Sequence, residues 1–413
     1  MLNTVLSALL LPVLFIAASG CARAAGPAAA VPGYSAENST APETAVPAAA
    51  VPGSSVVNST APKAAAPPGV STTAIHALIL AGRRVRGIHL TSWGSGSPKG
   101  RQKLLKHISG TVLNAVVIAI KETDGRVYIP GVEKAEKYGA YTAAIPRPEA
   151  MVADFKAAKL YTIARIVSFN DRVLPKARPD LAVKTPDGRP WRSRNGATWT
   201  DPYNREVWAY LLDIAERAAK AGFEEIQFDY IRYPSEGNIS QCLYSKPHNS
   251  KSAVANLKNF LAYARKRLAP YEVKMSVDVF GLTTSAKDDM GIGQDMKTLT
   301  AGADFIYPMM YPSHYARGAY GIKNPNASPY RVIDRGLKDA MLRLGPGYAK
   351  LRPYLQDFSL FGVHYGQAEV RAQLIAARLN LLESWVLWNP ANKYTWSALT
   401  PHSYRAYVDP DYK

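Results

Sequence analysis

From residue 84 onward the chain alternates short β-branched runs with longer amphipathic stretches, and that rhythm restricts it to a parallel sheet wrapped by helices. Eight runs read as strands: residues 85–91 (VRGIHLT), 113–120 (LNAVVIAI), 161–168 (YTIARIVS), 224–230 (EEIQFDY), 273–280 (VKMSVDVF), 303–311 (ADFIYPMMY), 350–357 (KLRPYLQD) and 384–389 (SWVLWN). Helical periodicity fills the intervals at residues 100–109, 148–159, 203–221, 250–268, 289–301, 328–343 and 367–379. The helix before the fourth strand is the plainest. Thr200 and Asp201 are placed to cap it, Pro202 sits in its first turn and Gly222 follows its end. Its Val207, Tyr210, Leu211, Ile214 and Ala218 share one face. Eight such units over roughly 330 residues predict an α/β fold of the (β/α)8 TIM-barrel type. The rival is a doubly wound open sheet, which binds phosphate at a glycine turn after its first strand. Here residues 94–100 read GSGSPKG, one residue too long for GxGxxG and without the GK[ST] of a phosphate loop.

The barrel accounts for residues 71–413, and what precedes it has a different character. Residues 1–21 begin with an apolar stretch and end in Ala18-Ser19-Gly20-Cys21, the form of a signal peptide with small residues before a cysteine. That ending resembles the bacterial lipoprotein cleavage box, in which Cys21 becomes the lipidated first residue and several acyl chains hold the protein on a membrane. The leader departs from the usual pattern in having no Lys or Arg before its apolar run. Residues 22–70 read as a disordered Ala/Pro-rich tether, in which residues 28–45 recur as residues 48–65. With Cys21 lipidated, Cys242 stands alone and no internal disulfide can form.

Charge sharpens the division. The net +18 lies wholly on residues 71–413, because Arg23, Lys63, Glu37 and Glu43 cancel in the first 70. Such a field favours anionic surroundings. Export and the lack of any recognition motif exclude nucleic acid as the partner, and no obligate protein partner is evident.

In a barrel, chemistry gathers where the strands end. Here those ends are polar: Lys121, Glu122 and Asp124 on the second strand, Gln227, Asp229 and Arg232 on and after the fourth, and Ser276 and Asp278 on the fifth. Tyr307, Tyr311 and His314 follow on the sixth, Gln356 and Asp357 on the seventh, Trp388 and Asn389 on the eighth. Alternation puts Gln227 and Asp229, and likewise Ser276 and Asp278, on one face, with Ile226, Phe228, Val277 and Val279 on the other. Two carboxylates on neighbouring strands fall at about 5–6 Å, the spacing of a nucleophile and an acid/base in a retaining glycosidase. The pattern alone leaves open that Asp229 or Asp278 merely pairs with Arg165 or Arg232. Lys121, Arg165, Gln227, Arg232, Tyr311, His314, Gln356 and Trp388 are the candidate substrate-binding residues. Aromatic rings near the strand ends, Trp93, Tyr230, Tyr233, Tyr307, Tyr311, Tyr315 and Trp388, suit the C–H faces of sugars, while core packing also explains many of them. The seven histidines show no metal-ligand spacing, a G-x-S-x-G nucleophile elbow is absent, and nothing calls for a cofactor.

The segment IQFDYIRYP at residues 226–234 resembles a family of bacterial glycoside-hydrolase-like barrels first catalogued as a domain of unknown function, distantly similar to α-amylase-type barrels. The resemblance runs from about Arg86 to Tyr394. It includes RGIHLTS (86–92), ARIVSFND (164–171), ATWTDPYNREVW (197–208), VDVFGLTT (277–284), DDMGIGQ (288–294), YPMMYPSHY (307–315), RPYLQDF (352–358) and WVLWNPANKY (385–394). It implies a (β/α)8 barrel and O-glycosyl hydrolysis, with Asp229 as nucleophile and Asp278 as acid/base, where amylase-type enzymes carry Glu. Ala119 departs from relatives that carry an acid there, which keeps a non-catalytic glycan-binding lipoprotein as the alternative. The expectation is an exported, lipid-anchored glycoside hydrolase acting on an envelope or extracellular polysaccharide.

Overall fold

The computed structural model describes residues 84–408, and the leader, Cys21 and the tether expected over residues 1–70 lie outside the described residues. Eight parallel strands close into a barrel in sequence order: β1 (Arg86–Leu90), β2 (Ala115–Lys121), β3 (Tyr161–Val167), β4 (Glu225–Asp229), β5 (Lys274–Phe280), β6 (Phe305–Met310), β7 (Tyr354–Gln356) and β8 (Trp385–Trp388). A helix follows each: α1 (Pro98–Ile108), α2 (Pro148–Ala157), α3 (Arg205–Lys220), α4 (Ser250–Leu268), α5 (Met296–Gly302), α6 (Pro329–Leu344), α7 (Gln367–Leu379) and α8 (Pro401–Val408). This is the (β/α)8 fold that the sequence rhythm predicts.

Two helix starts differ from expectation for local reasons. The first turn of α3 is capped by Asn204, whose side chain accepts from the Glu206 amide, not by Thr200 and Asp201. Asp201 instead braces the preceding loop, accepting from the amides of Tyr203 at 2.9 Å and Ser245 at 2.6 Å. Likewise α5 begins only at Met296, capped by Asp295, because Gly291 and Gly293 turn the chain at φ +66° and +80°.

The strands sort their residues by face. Val116, Ile118, Ile226, Phe228, Val277 and Val279 join the large core beneath the helices. Ala115, Val117, Ile163, Tyr307, Tyr354 and Val386 form a separate cluster inside the barrel. That interior is not a stack of aliphatic layers. At its base Glu225 accepts from the Tyr161 hydroxyl at 3.1 Å, the Tyr307 hydroxyl at 2.9 Å and the Arg352 guanidinium at 2.8 Å. One layer up, the Tyr354 hydroxyl donates to Gln227 at 2.8 Å. Tyrosine suits this role because its ring fills the barrel while its hydroxyl satisfies a buried acceptor.

The Glu225–Arg352 pair is almost wholly shielded from water, so removing one partner strands the other charge. Arg352→Met is expected to lower the unfolding free energy by about 3–5 kcal/mol in urea denaturation. Adding Glu225→Gln should recover part of that loss, since the uncompensated charge is then gone.

Candidate active site

The C-terminal mouth of the barrel is organised by one side chain. Arg165 on β3 donates through Nε to Asp229 Oδ2 at 2.9 Å and again through Nη2 to the same oxygen. Its Nη1 reaches Glu122 Oε1 at 3.0 Å, and its Nε lies 3.8 Å from Asp278 Oδ2. The register explains the convergence: Arg165 pairs with Gln227 and Val167 with Asp229, while Gln227 pairs with Ser276 across the next ladder. Asp229 and Asp278 therefore stand at the same height on neighbouring strands. Their Oδ2 atoms are separated by at most the sum of the two Nε distances, which falls short of nearly all of the roughly 6.5–9.5 Å range of an inverting pair.

The two carboxyl groups have unequal surroundings. Asp229 takes the guanidinium fork and, through Oδ1, the amide of Tyr230 at 2.6 Å. Tyr230 adopts φ +49°, a left-handed conformation unusual for an aromatic residue and placed directly after Asp229. Asp278 makes no hydrogen bond through either oxygen and is 1% exposed. Burial, and next the charge of Asp229, push its carboxyl well above the ordinary range, against the opposing pull of Arg165. Burial works against the Arg165 charge, but Glu122, Asp229 and Asp278 outweigh it and hold the guanidinium charged.

Aromatic groups roof the carboxylates. The His89 ring stacks on Trp388 with centroids 3.9 Å apart, and the Arg165 guanidinium lies 5.1 Å from the Trp388 ring. Both His89 nitrogens lack a hydrogen bond, with Glu122 Oε1 4.0 Å away. Burial and then Arg165 lower its pKa well below the usual imidazole value. Tyr311 packs 6.4 Å from Trp388, and burial followed by Asp278 and Asp229 raises its phenol. His314 stands behind Tyr311 at 5.4 Å with Nδ1 2.9 Å from the Ser313 hydroxyl, and burial lowers its pKa to about 4.

Of the candidates from sequence, Asp229, Asp278, Arg165, Tyr311 and Trp388 come together at the mouth, and His314 borders them. Gln227 lies a layer below, held by Tyr354, with its Nε2 unbonded. Lys121 and Gln356 are committed elsewhere. Lys121 is buried behind β3, bonded to the Val167 carbonyl and paired with Asp171, both at 2.9 Å. Gln356 ties loops together, accepting from the Ser313 amide at 3.0 Å and donating to the Phe358 carbonyl at 2.8 Å.

Lys121 is out of place and Glu122 unexpectedly in place for one reason. The β2–β3 register shifts between Ala119 and Lys121, so Lys121 pairs with outward-facing Ile166 and Glu122 is turned to Arg165. Strict alternation predicts the reverse. Ala119, buried and paired in register with Arg165, carries no acid, and the carboxylate nearest that level of β2 is Glu122 from beyond the bulge.

A closed (β/α)8 barrel with carboxylates and a buried arginine at its C-terminal mouth is the architecture of many glycosidases. The family whose description reads "Putative glycosyl hydrolase domain" matches residues 87–394, and the chain belongs to it. A hypothetical protein from Ruminiclostridium thermocellum is 36% identical over 46% of this chain and 97% of its own, with a TM-score of 0.43. The glycoside hydrolase domain of PgaB (BpsB) from Bordetella bronchiseptica shares the fold at 15% identity, covering 78% of this chain and 97% of its own with a TM-score of 0.59. No curated protein matches the chain significantly.

The raised Asp278 carboxyl has a signed consequence. Below about pH 3.9 the group is protonated in both folded and unfolded chains and costs nothing. As pH rises, the unfolded chain releases this proton first, and stability falls until the folded carboxyl also ionises. Asp278→Asn, which cannot ionise, should gain in thermal midpoint over the wild type as the pH rises above about 4 and show no such gain below it. A pH-independent difference would show that Asp278 ionises freely in the fold.

Proposed function

We propose that the barrel hydrolyses glycosidic bonds by a retaining, two-carboxylate mechanism. The observation that carries this reading is the inequality between the two acids: Asp229 is gripped by donors, while Asp278 beside it is buried and unbonded, which raises its carboxyl above the ordinary range. Asp278 donates a proton to the glycosidic oxygen as the C1–O bond breaks, and Asp229 attacks the anomeric carbon to give a glycosyl ester. Asp278, now a carboxylate, takes a proton from water, whose oxygen displaces Asp229 and restores both groups. Arg165 fixes Asp229 for attack, and the His89–Trp388 stack keeps the space dry. Two exposed aromatics support a polymeric substrate. Trp93 follows β1 and Phe361 follows β7, so both flank the mouth beside β8.

Asp229→Asn and Asp278→Asn should each fold yet lose about 10²–10⁴-fold in the rate of glycan hydrolysis. Proton NMR of the first product formed should show the anomeric configuration retained. Full activity in either variant removes that residue from the mechanism, and glycan binding without cleavage by the wild type favours the glycan-binding lipoprotein.

The same reading places the barrel outside the cytoplasm, held at the cell envelope through Cys21 and the tether. The leader, the small residues before Cys21 and the neutral Ala/Pro-rich segment support it. Cys21→Ser is expected to abolish incorporation of labelled palmitate and to move the chain from the membrane to the soluble fraction. Unchanged labelling would exclude Cys21 as the anchor.

A further inference from the structure

Four arginines are buried among the described residues: Arg101, Arg165, Arg232 and Arg352. Three hold a carboxylate: Arg101 bonds Asp154 at 2.8 Å, Arg165 bonds Asp229 at 2.9 Å and Arg352 bonds Glu225 at 2.8 Å. Arg232 forms no ion pair with any described residue. Its Nη1 donates to the Tyr233 carbonyl at 3.1 Å and the Ser235 hydroxyl at 3.0 Å. The rest of the guanidinium lies among aromatic rings, with centroids 4.8 Å away at Trp199, 4.8 Å at Tyr230 and 4.6 Å at Phe280. Cation–π contacts offset part of the cost of burying a charge, and the Glu236 and Asp229 carboxylates add attraction, but neither makes a contact ion pair with Arg232. Glu236, four residues on, is half-buried; its charge and that of Arg232 favour each other, without a contact ion pair between them.

The position of this box matters as much as its composition. Tyr230 directly follows Asp229, and Phe280 stands two residues beyond Asp278 on the same strand face, so the box shares walls with the two carboxylates. Gln294 fastens it there, accepting from the Phe280 amide at 3.0 Å and donating to the carbonyls of Ile231 and Asp278 at 3.3 Å. Tyr230 and Phe280 are half-exposed, so a ring seated over Asp229 would touch them.

We propose that Arg232 receives a carboxylate borne by the sugar next to the scissile bond, and that the substrate is a carboxylated polysaccharide. A planar guanidinium matches a carboxylate through two parallel hydrogen bonds, which a neutral hydroxyl cannot supply. The aromatic walls suit the C–H face of the same ring. The +18 net charge, all of it on the barrel side of residue 70, draws such a polymer to the surface. This rests on the hydrolase reading for the placement of the sugar, but it can fail separately.

The test uses the full chain carrying Asp278→Asn, so that binding is measured without turnover. Polygalacturonate, alginate and hyaluronan are each compared with the carboxyl-reduced form of the same polymer, by calorimetry at fixed ionic strength. At least one acidic polymer should bind at least about tenfold more tightly than its reduced form. Arg232→Gln should erase that preference, and Arg232→Lys, which keeps the charge without the fork, should retain only part of it. Arg335→Gln on α6 removes the same charge from an exposed helix face, where Arg335 pairs with Asp339, and should leave the preference intact. Equal binding of acidic and reduced forms in every arm overturns the proposal, as does a preference that survives Arg232→Gln or disappears with Arg335→Gln. An Arg232-dependent preference for a polymer that the wild type does not cleave would retain the carboxylate site and remove the hydrolase reading for that polymer. Cleavage of a neutral glycan with no acidic preference would do the opposite.

Discussion

A single buried guanidinium makes the upper barrel possible. Asp229, Asp278 and the partly exposed Glu122 converge from three strand ends around one guanidinium, where like charges a few ångströms apart repel strongly. Arg165 removes that conflict unequally. Asp229 receives two of its N–H groups and Glu122 a third, while Asp278 is left at 3.8 Å from Nε with no hydrogen bond. The raised carboxyl of Asp278 is thus a consequence of its burial and of where the fork points.

The layers beneath serve the same end. Aliphatic side chains alone would fill the barrel but could not orient a polar upper storey. Here Glu225 and Arg352 close the base with Tyr161 and Tyr307, and Tyr354 holds Gln227 one step below the carboxylates. Much of the tyrosine content therefore belongs to the interior: Tyr307, which stands near a strand end in sequence, lies in the basal layer and touches no space a sugar could occupy. Rigid polar layers fix the height and direction of β4 and β5, and Asp229 and Asp278 inherit that precision.

Period-two alternation made most of this legible from sequence. It assigned all eight strands and put Asp229 with Gln227 and Asp278 with Ser276 on the inner face, because β4 and β5 run without interruption. It failed on β2, where the bulge after Ala119 adds one residue to one strand and reverses the facing of everything beyond. Nothing in AVVIAIKE marks that extra residue, since every position in it is compatible with either face. Helix starts were misread for a related reason: Asp201 and Asn204 are both good caps, and only the demand of the Ser245 amide for an acceptor decides between them. Gln356 ends β7 with inward alternation, yet the amide of Ser313 reaches it first.

The roof explains why two arginines so near each other are not redundant. Burial raises the Asp278 carboxyl only while the space above it stays dry, and the stacked His89 and Trp388 rings cover that space. A bound sugar ring must displace or replace that cover without admitting water, so its own apolar face has to meet the exposed edges of Trp388, Tyr230 and Phe280. Arg165 cannot recruit such a ring, because Asp229 and Glu122 already occupy its donors and its withdrawal would release the charge of Asp229. Arg232 is under no such obligation. Its charge is carried by rings and a backbone carbonyl, so a group that pairs with it gains the attraction without breaking an existing ion pair. The fold thereby separates the cation that grips the carboxyl groups from one that has no contact ion pair among the described residues.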